Sequence, residues 1–272
     1  MIKQFPRIRH SLIMIYSIIT RFQALLTERD RRENYYRQIE NIKKEKKIIV
    51  DISFGGIGDS LIWSTLPQLL KETFDIDFYL SDESRSVFRN PDTLNLCFEK
   101  NPFFRGFEQA DKYFKLDVFE SEKNIINFIF DKGGLNAIER LEKQFDVTGT
   151  GLPRLYYKPR ILDDFTKVIL IDKNMISGKK FGWLYKKNAF EKEAKKYLDS
   201  TSQIQYVDTL KQDLFKYVDM IYSCKRFIGT FSGGSAIAAC FDKPFSVIWP
   251  YNAIDGSNYQ FRFAKSRGDY VK

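Results

Sequence analysis

Two short segments rich in glycine and serine carry side chains that could do chemistry. The first, Gly55-Gly56-Ile57-Gly58-Asp59-Ser60, follows an apolar run and precedes a stretch with helical spacing. Asp59, at the head of that helix, could act as a general base toward a sugar hydroxyl. The alternative is that Asp59 only caps the helix. Glycines here permit positive φ and close approach of a ligand, and a helix N-terminus favours negative charge.

The second segment, Ser232-Gly233-Gly234-Ser235, lies between a predicted strand end and a predicted helix start. Four small residues would offer backbone N–H groups and hydroxyls at which a phosphate can dock. The alternative is an ordinary tight turn whose following alanines allow close helix packing. Between the two segments stand Lys179 and Lys180, beside Gly178. Their ammonium groups could neutralise a diphosphate leaving group, or could belong to a solvated surface loop.

The composition excludes several other kinds of site. The chain of 272 residues has one histidine, His10, so a histidine zinc site, a Ser–His–Asp triad and a Cys–His dyad are all improbable. The three cysteines, Cys97, Cys224 and Cys240, are too widely spaced for a metal knuckle. Their odd number argues against a disulfide framework and suits a reducing compartment. We therefore predict no metal site.

The positive charge is concentrated at the start of the chain. Residues 1–47 contain 12 of the 44 basic residues but only five of the 35 acidic residues. Because the remaining chain is nearly neutral, a nucleic-acid partner is not expected. Apolar residues from Ile8 to Leu26 recur at helical spacing, but their densest run is too short to span a bilayer. This arm would pack on the body, on a second copy, or on an anionic membrane surface.

The rest of the chain reads as an α/β protein with two series of strands and helices. Strands are predicted at 48–54, 76–80, 94–98, 125–130, 167–172, 204–207, 226–229 and 245–250, and helices at 60–70, 136–145, 189–198, 213–224 and 235–241. The run at 125–130 could also be a buried helix. We expect a helical arm over 1–46 and two Rossmann-like domains over 47–160 and 161–250. The segment 251–272 is expected to return to the N-terminal domain.

Three motifs in order resemble those of the ADP-heptose:lipopolysaccharide heptosyltransferase family, glycosyltransferase family 9. Gly56-Ile57-Gly58-Asp59-Ser60-Leu61, continuing through Thr65-Leu66-Pro67, is similar to that family's opening. Lys179-Lys180-Phe181-Gly182-Trp183 resembles its Lys-x-Trp loop. The segment from Asp213 to Pro244, with its Ser-Gly turn and alanine-rich helix, resembles the second signature. Together the motifs cover about a third of the chain.

The resemblance implies a GT-B fold, in which two Rossmann-like domains face a central cleft. It implies an inverting glycosyltransferase that needs no metal or cofactor and uses a nucleotide-sugar donor. Asp59 would then be the catalytic base, Lys179 or Lys180 would contact the donor diphosphate, and residues 232–235 would bracket it. The acceptor would be a glycan or a lipid-linked sugar at the cytoplasmic face of the membrane.

Two alternatives stay open. Where the family has an acidic residue before Ser-Gly, this chain has Phe231, and where it has a histidine after the glycine, this chain has Ala236. Both departures favour a non-catalytic scaffold that assembles other enzymes. The other alternative is a nicotinamide oxidoreductase, but the glycine segment lacks the G-x-G-x-x-G spacing and the later acidic residue of a dinucleotide site.

Overall fold

The structure is a computed structural model. It describes residues 36–52, 55–88, 90–109, 114–116, 136–174, 182, 184–230, 232–251 and 268–271. The arm from Ile8 to Leu26, the strand predicted at 125–130, Lys179, Lys180 and Phe231 lie outside them. Within the ranges, no helix is long and apolar enough to span a bilayer.

The first sheet follows a short helix, α1, over 36–45. Its strands are β1 (Lys47–Ile52), β2 (Asp77–Ser81), β3 (Phe104–Glu108) and β4 (Phe114–Leu116), all parallel, in the order β3-β2-β1-β4. The connection from β1 to β2 contains two helices, α2 (Ile57–Trp63) and α3 (Leu66–Phe74), rather than the single helix predicted at 60–70. Pro67, in the first turn of α3, lacks the N–H that an unbroken helix would need.

The segment 94–98 is helical, so the strand predicted there is wrong. Helix α4 (Pro91–Leu94) continues into a π-helical turn at Asn95–Glu99. Asn90 begins the helix by accepting a hydrogen bond from the backbone N–H of Asp92, and Pro91 supplies a suitable first residue. Leu96, Cys97 and Phe98 are all buried, and such a short apolar run does not distinguish a strand from a buried helix.

The second sheet has five parallel strands in the order β6-β5-β7-β8-β9. They are β5 (Val168–Asp172), β6 (Gln203–Val207), β7 (Arg226–Thr230), β8 (Phe245–Ile248) and β9 (Gly268–Val271). The remaining α-helices are α5 (Ala137–Gln144), α6 (Ala189–Lys195), α7 (Leu214–Ser223) and α8 (Gly233–Cys240), and short 3₁₀ helices lie at Asp82–Val87, Asp163–Phe165 and Thr209–Lys211. The predicted α/β class with parallel sheets is confirmed. The described end of segment 251–272, β9, lies in this second sheet and not in the first.

A continuous hydrophobic core joins the elements of both sheets. Trp63 of α2 and Tyr217 of α7 belong to the same cluster of buried side chains. The connection between the sheets is attached to α7 through the buried carboxylate of Asp219. This carboxylate accepts hydrogen bonds from the Tyr157 hydroxyl at 2.8 Å and from the backbone and side-chain nitrogens of Arg160, each at 2.9 Å. The two halves are therefore connected by packing as well as by the chain.

A buried carboxyl on α5 provides a test of pH dependence. Glu142 accepts a hydrogen bond from the backbone N–H of Gly151 at 2.9 Å, and burial raises the pKa of its carboxyl above the ordinary value of 4.5. The stability that a raised pKa contributes is fully present below the ordinary pKa and is lost as the pH rises through the folded-state pKa.

Glu142→Gln keeps an acceptor for the Gly151 N–H but does not titrate. We therefore expect the free energy of unfolding of this variant, relative to that of the wild type, to increase as the pH is raised from 4 to 7. Urea unfolding at both pH values measures this change. A wild type that gains on the variant over the same interval would contradict the assigned direction.

Candidate functional site

The two segments singled out in the sequence both follow the carboxyl ends of parallel strands. Open parallel sheets bind ligands outside these ends, where neighbouring connections diverge to opposite sides of the sheet. In the first sheet β1 has β2 on one side and β4 on the other, and in the second β5 lies between β6 and β7. The chain leaves β1 toward residues 55–58, called here the glycine loop. It leaves β7 toward residues 232–235, called here the serine corner.

Asp59 is the third residue of α2 and is half-buried. The N-cap is Gly56, with φ −72° and ψ 150°, so Asp59 is not the N-cap residue but an acid of the first turn. A Cβ built on Gly56 would lie 3.0 Å from Asp59 Oδ2, which shows that the carboxylate folds back over the glycine loop. The position suits a negative charge, because the first turn of a helix carries the positive end of its dipole.

Close packing, not a left-handed backbone conformation, explains Gly55, Gly233 and Gly234. Gly55, Gly56, Gly233 and Gly234 all have φ outside the left-handed region, in contrast to the positive φ that the sequence suggested. A Cβ on Gly55 would lie 2.3 Å from the carbonyl oxygen of Val87. The backbone of Val87 therefore fills the space beside Gly55 in which the sequence predicts a ligand.

The serine corner forms the beginning of α8. Ser232 is the extended N-cap, and Gly233 and Gly234 are the first two helical residues. Ser235 is buried, and both its backbone N–H and its hydroxyl donate to the carbonyl oxygen of Ser232, at 3.1 and 2.7 Å. The Ser235 hydroxyl therefore serves the turn itself, and a phosphate at this corner would depend on backbone N–H groups and Ser232.

The structure brings the glycine loop and the serine corner into direct contact. A Cβ on Gly233 would lie 1.8 Å from Ile57 Cγ2 and 3.3 Å from the backbone nitrogen of Gly58. The N-termini of α2 and α8, which follow strands of different sheets, thus meet, and Asp59 lies two residues after Ile57, about half a helical turn further along α2. In this arrangement the Ile57 side chain occupies the position that a side chain on Gly233 would take.

A buried polar network beneath the serine corner was not anticipated from the sequence. Asp172 ends β5 and is fully buried, and its carboxylate accepts hydrogen bonds from the hydroxyls of Tyr217 and Thr209. The available signal was an acidic residue that directly follows the apolar run Val168-Ile169-Leu170-Ile171. Its partners lie 37 and 45 residues later, so spacing alone does not connect them.

The sequence matches no model of a known protein family and no curated protein. Solved structures do match, all at low identity. The glycosyl transferase family 9 protein of Veillonella parvula is 12% identical, with 83% of this chain and 85% of that chain covered and a TM-score of 0.47. ADP-heptose lps heptosyltransferase II of E. coli is also 12% identical, with 82% and 90% covered and a TM-score of 0.47.

A third match is TibC of enterotoxigenic E. coli, an iron-containing dodecameric glycosyltransferase. It is 12% identical with a TM-score of 0.44, and 74% of this chain is covered. The chain spans only 57% of the length of TibC. The matched structures therefore include heptosyltransferases and a glycosyl transferase family 9 protein, the proteins that the three motifs resemble.

The expectation that no metal or cofactor takes part needs correction. TibC is iron-containing, so metal independence does not hold throughout the proteins that this chain resembles. Among the residues that the structure describes, no group of three or more His, Cys, Asp or Glu side chains could hold a metal ion. The described residues therefore do not fit an iron centre, and no step below passes through one.

Proposed function

We propose that this chain transfers a glycosyl group from a nucleoside-diphosphate sugar to a hydroxyl of a glycan or lipid-linked acceptor. One observation carries the proposal: the N-termini of α2 and α8, each directly after a parallel strand of its own sheet, meet at Ile57 and Gly233. The first turn of α2, which carries Asp59, thereby lies beside the start of α8, and the start of a helix favours an anion. The assignment of the fold to the GT-B type, with a cleft between two domains, belongs to this proposal.

The chemistry is an inverting displacement. The acceptor oxygen attacks the anomeric carbon while Asp59 takes the proton from the acceptor hydroxyl. The bond between the anomeric carbon and the diphosphate oxygen breaks, and the nucleoside diphosphate leaves with the electron pair. Backbone N–H groups of the serine corner stabilise this developing charge, and Lys179 and Lys180 are proposed to assist.

The donor needs room at a corner that Ile57 covers in this structure. We propose that donor binding moves the start of α2 away from α8, so that the diphosphate replaces Ile57 at Gly233. Interfaces between α/β domains are common places for such motion. The move would also bring the donor's sugar between Asp59 and the serine corner.

A donor screen tests the proposal. We expect one of ADP-, UDP- or GDP-linked sugars to bind, and at about 100 times its Kd to stabilise the fold by about 2.7 kcal/mol. For a chain of this size the melting temperature should rise by roughly 5–10 °C. The matching nucleoside, which has no phosphate, is the control and should give little shift. If no nucleotide sugar shifts the transition, the proposal fails.

The non-catalytic scaffold remains the second candidate, because one observation favours it. Ile57 packs on Gly233 as a core contact would, and a scaffold requires no room for a donor there. The same screen separates the two functions. A scaffold should bind none of the nucleotide sugars, whereas a transferase should bind at least one and release free nucleoside diphosphate when an acceptor is added.

A further inference from the structure

A buried carboxylate lies at the carboxyl end of β5, next to the strand that leads into the serine corner. Asp172 Oδ2 accepts hydrogen bonds from the Tyr217 hydroxyl at 2.6 Å and from the Thr209 hydroxyl. Its other oxygen, Oδ1, accepts from the backbone N–H of Asn174 at 2.8 Å. Asp172 and Tyr217 are both fully buried. Burying a carboxylate this completely costs free energy unless both of its oxygens accept hydrogen bonds, and these three donors provide them.

One branch of this network supports the serine corner from below. A Cβ built on Gly234 would lie 2.3 Å from the Tyr217 hydroxyl oxygen and 2.8 Å from Phe227 Cζ. The Tyr217 hydroxyl is therefore in van der Waals contact with the second residue of α8. Burial, together with the charge of Asp172, raises the pKa of the Tyr217 phenol well above its usual range. The phenol consequently keeps its proton and remains a hydrogen-bond donor to Asp172.

The other branch reaches the two chain segments on either side of the corner. Asn174 begins the segment that continues to Lys179 and Lys180, and its amide donates to Asp208 Oδ1 at 2.8 Å. The backbone carbonyl oxygen of Asn174 accepts a hydrogen bond from the hydroxyl of Thr230, the last residue of β7, at 2.8 Å. Through Asn174, Asp172 therefore fixes the end of β7, two residues before Ser232, as well as the start of the lysine segment.

We infer that Asp172 is the positioning residue of the serine corner. Its partner Tyr217 contacts the start of α8 at Gly234. Its other partner, Asn174, binds Thr230 and so fixes the end of β7, from which the chain continues into α8. What the corner binds rests on the proposed function, but the positioning itself does not. Backbone N–H groups stabilise an anion well only when they are held in place beforehand, within about 0.5 Å of the productive geometry.

The carboxylate suits this place because all three of its neighbours donate hydrogen bonds to it. An asparagine would present its NH₂ group either to the Asn174 N–H, where two donors would face each other, or to the two hydroxyls, which would then have to turn and accept instead of donating. Asp172→Asn should therefore disturb the network while keeping the size of the side chain. Tyr217→Phe is the milder change, because the ring is retained and only the hydroxyl contact is lost.

Hydrogen exchange of the ligand-free protein tests the positioning. We expect Asp172→Asn and Tyr217→Phe to speed exchange of the amides of residues 235–237, which are hydrogen-bonded within the first turns of α8, by about tenfold or more. The matched control is Asp219→Asn, which removes a fully buried carboxylate that also accepts from a tyrosine but holds residues 157–160. That control should leave exchange at 235–237 within about threefold of the wild type. Equal acceleration by both aspartate variants, or none by Asp172→Asn and Tyr217→Phe, would overturn the inference.

Calorimetry separates this inference from the proposed function. With ADP, UDP and GDP as probes, Asp172→Asn should weaken the best binder about tenfold, and its monophosphate less, whereas Asp219→Asn should leave both affinities unchanged. If the wild type binds none of the three, the proposed function fails, and the exchange rates still decide on Asp172. If the wild type binds one and Asp172→Asn binds it equally well, the inference fails and the proposed function stands.

Discussion

Asp59→Asn is expected to bind a nucleotide-sugar donor about as well as the wild type and to transfer its sugar about 10²- to 10⁴-fold more slowly. The amide keeps the shape of the side chain over Gly56 but cannot take a proton from the acceptor. The loss should therefore appear in kcat and not in the affinity for the donor. Measuring release of nucleoside diphosphate with and without acceptor, for the donor found by the screen, gives both quantities.

The control for Asp59→Asn is a first-turn acid on another helix. Asp92 lies in the first turn of α4, so Asp92→Asn removes a comparable interaction with a helix dipole. Both variants should lose about 0.3–1 kcal/mol of stability from this source. Only Asp59→Asn should lose turnover. A variant Asp59→Asn with near-normal turnover on a confirmed substrate pair would remove Asp59 from the mechanism.

The parts of the fold that depend on local pattern could be predicted from the sequence. All five residues of β5 are buried, and a continuous apolar run is what a central strand of a parallel sheet requires. The strand β3 was not predicted because its residues are mostly half-buried and because Gly106, at φ 120°, interrupts the alternation of apolar and polar residues. The strand predicted at 94–98 failed for the opposite reason, since its apolar run satisfies a buried helix equally well.

The candidate site could be predicted only in its separate pieces. Small residues at a strand end identified the glycine loop and the serine corner, because that chemistry is local. The contact of Ile57 with Gly233 joins residues 176 positions apart in the chain and depends on how the two sheets pack. Asp172 was missed for a related reason, because its partners Thr209 and Tyr217 come from other elements. Spacing in the sequence carries no signal for such contacts.

The contact between α2 and α8 gives the second large effect. In Gly233→Ala the added Cβ would lie 1.8 Å from Ile57 Cγ2, the methyl group of a side chain that is branched at Cβ and stiff at χ1, so the two helices must move apart. Such overpacking costs about 1–3 kcal/mol or more. Ile57→Ala removes Cγ2 and leaves only Cβ, 3.2 Å from the new methyl group. The double variant should therefore regain at least about 1 kcal/mol over the sum of the two single changes.

Urea unfolding of the wild type, both single variants and the double variant measures this coupling. Strict additivity would mean that Gly233 and Ile57 are not in contact in solution. Donor binding by Ile57→Ala then shows what the contact does. If the diphosphate must replace Ile57 at Gly233, removing that side chain should preserve or strengthen binding although it costs stability. The proposed displacement predicts that stability falls while donor affinity is kept or rises, because the energy of the contact between the helices has to be given up when the donor enters.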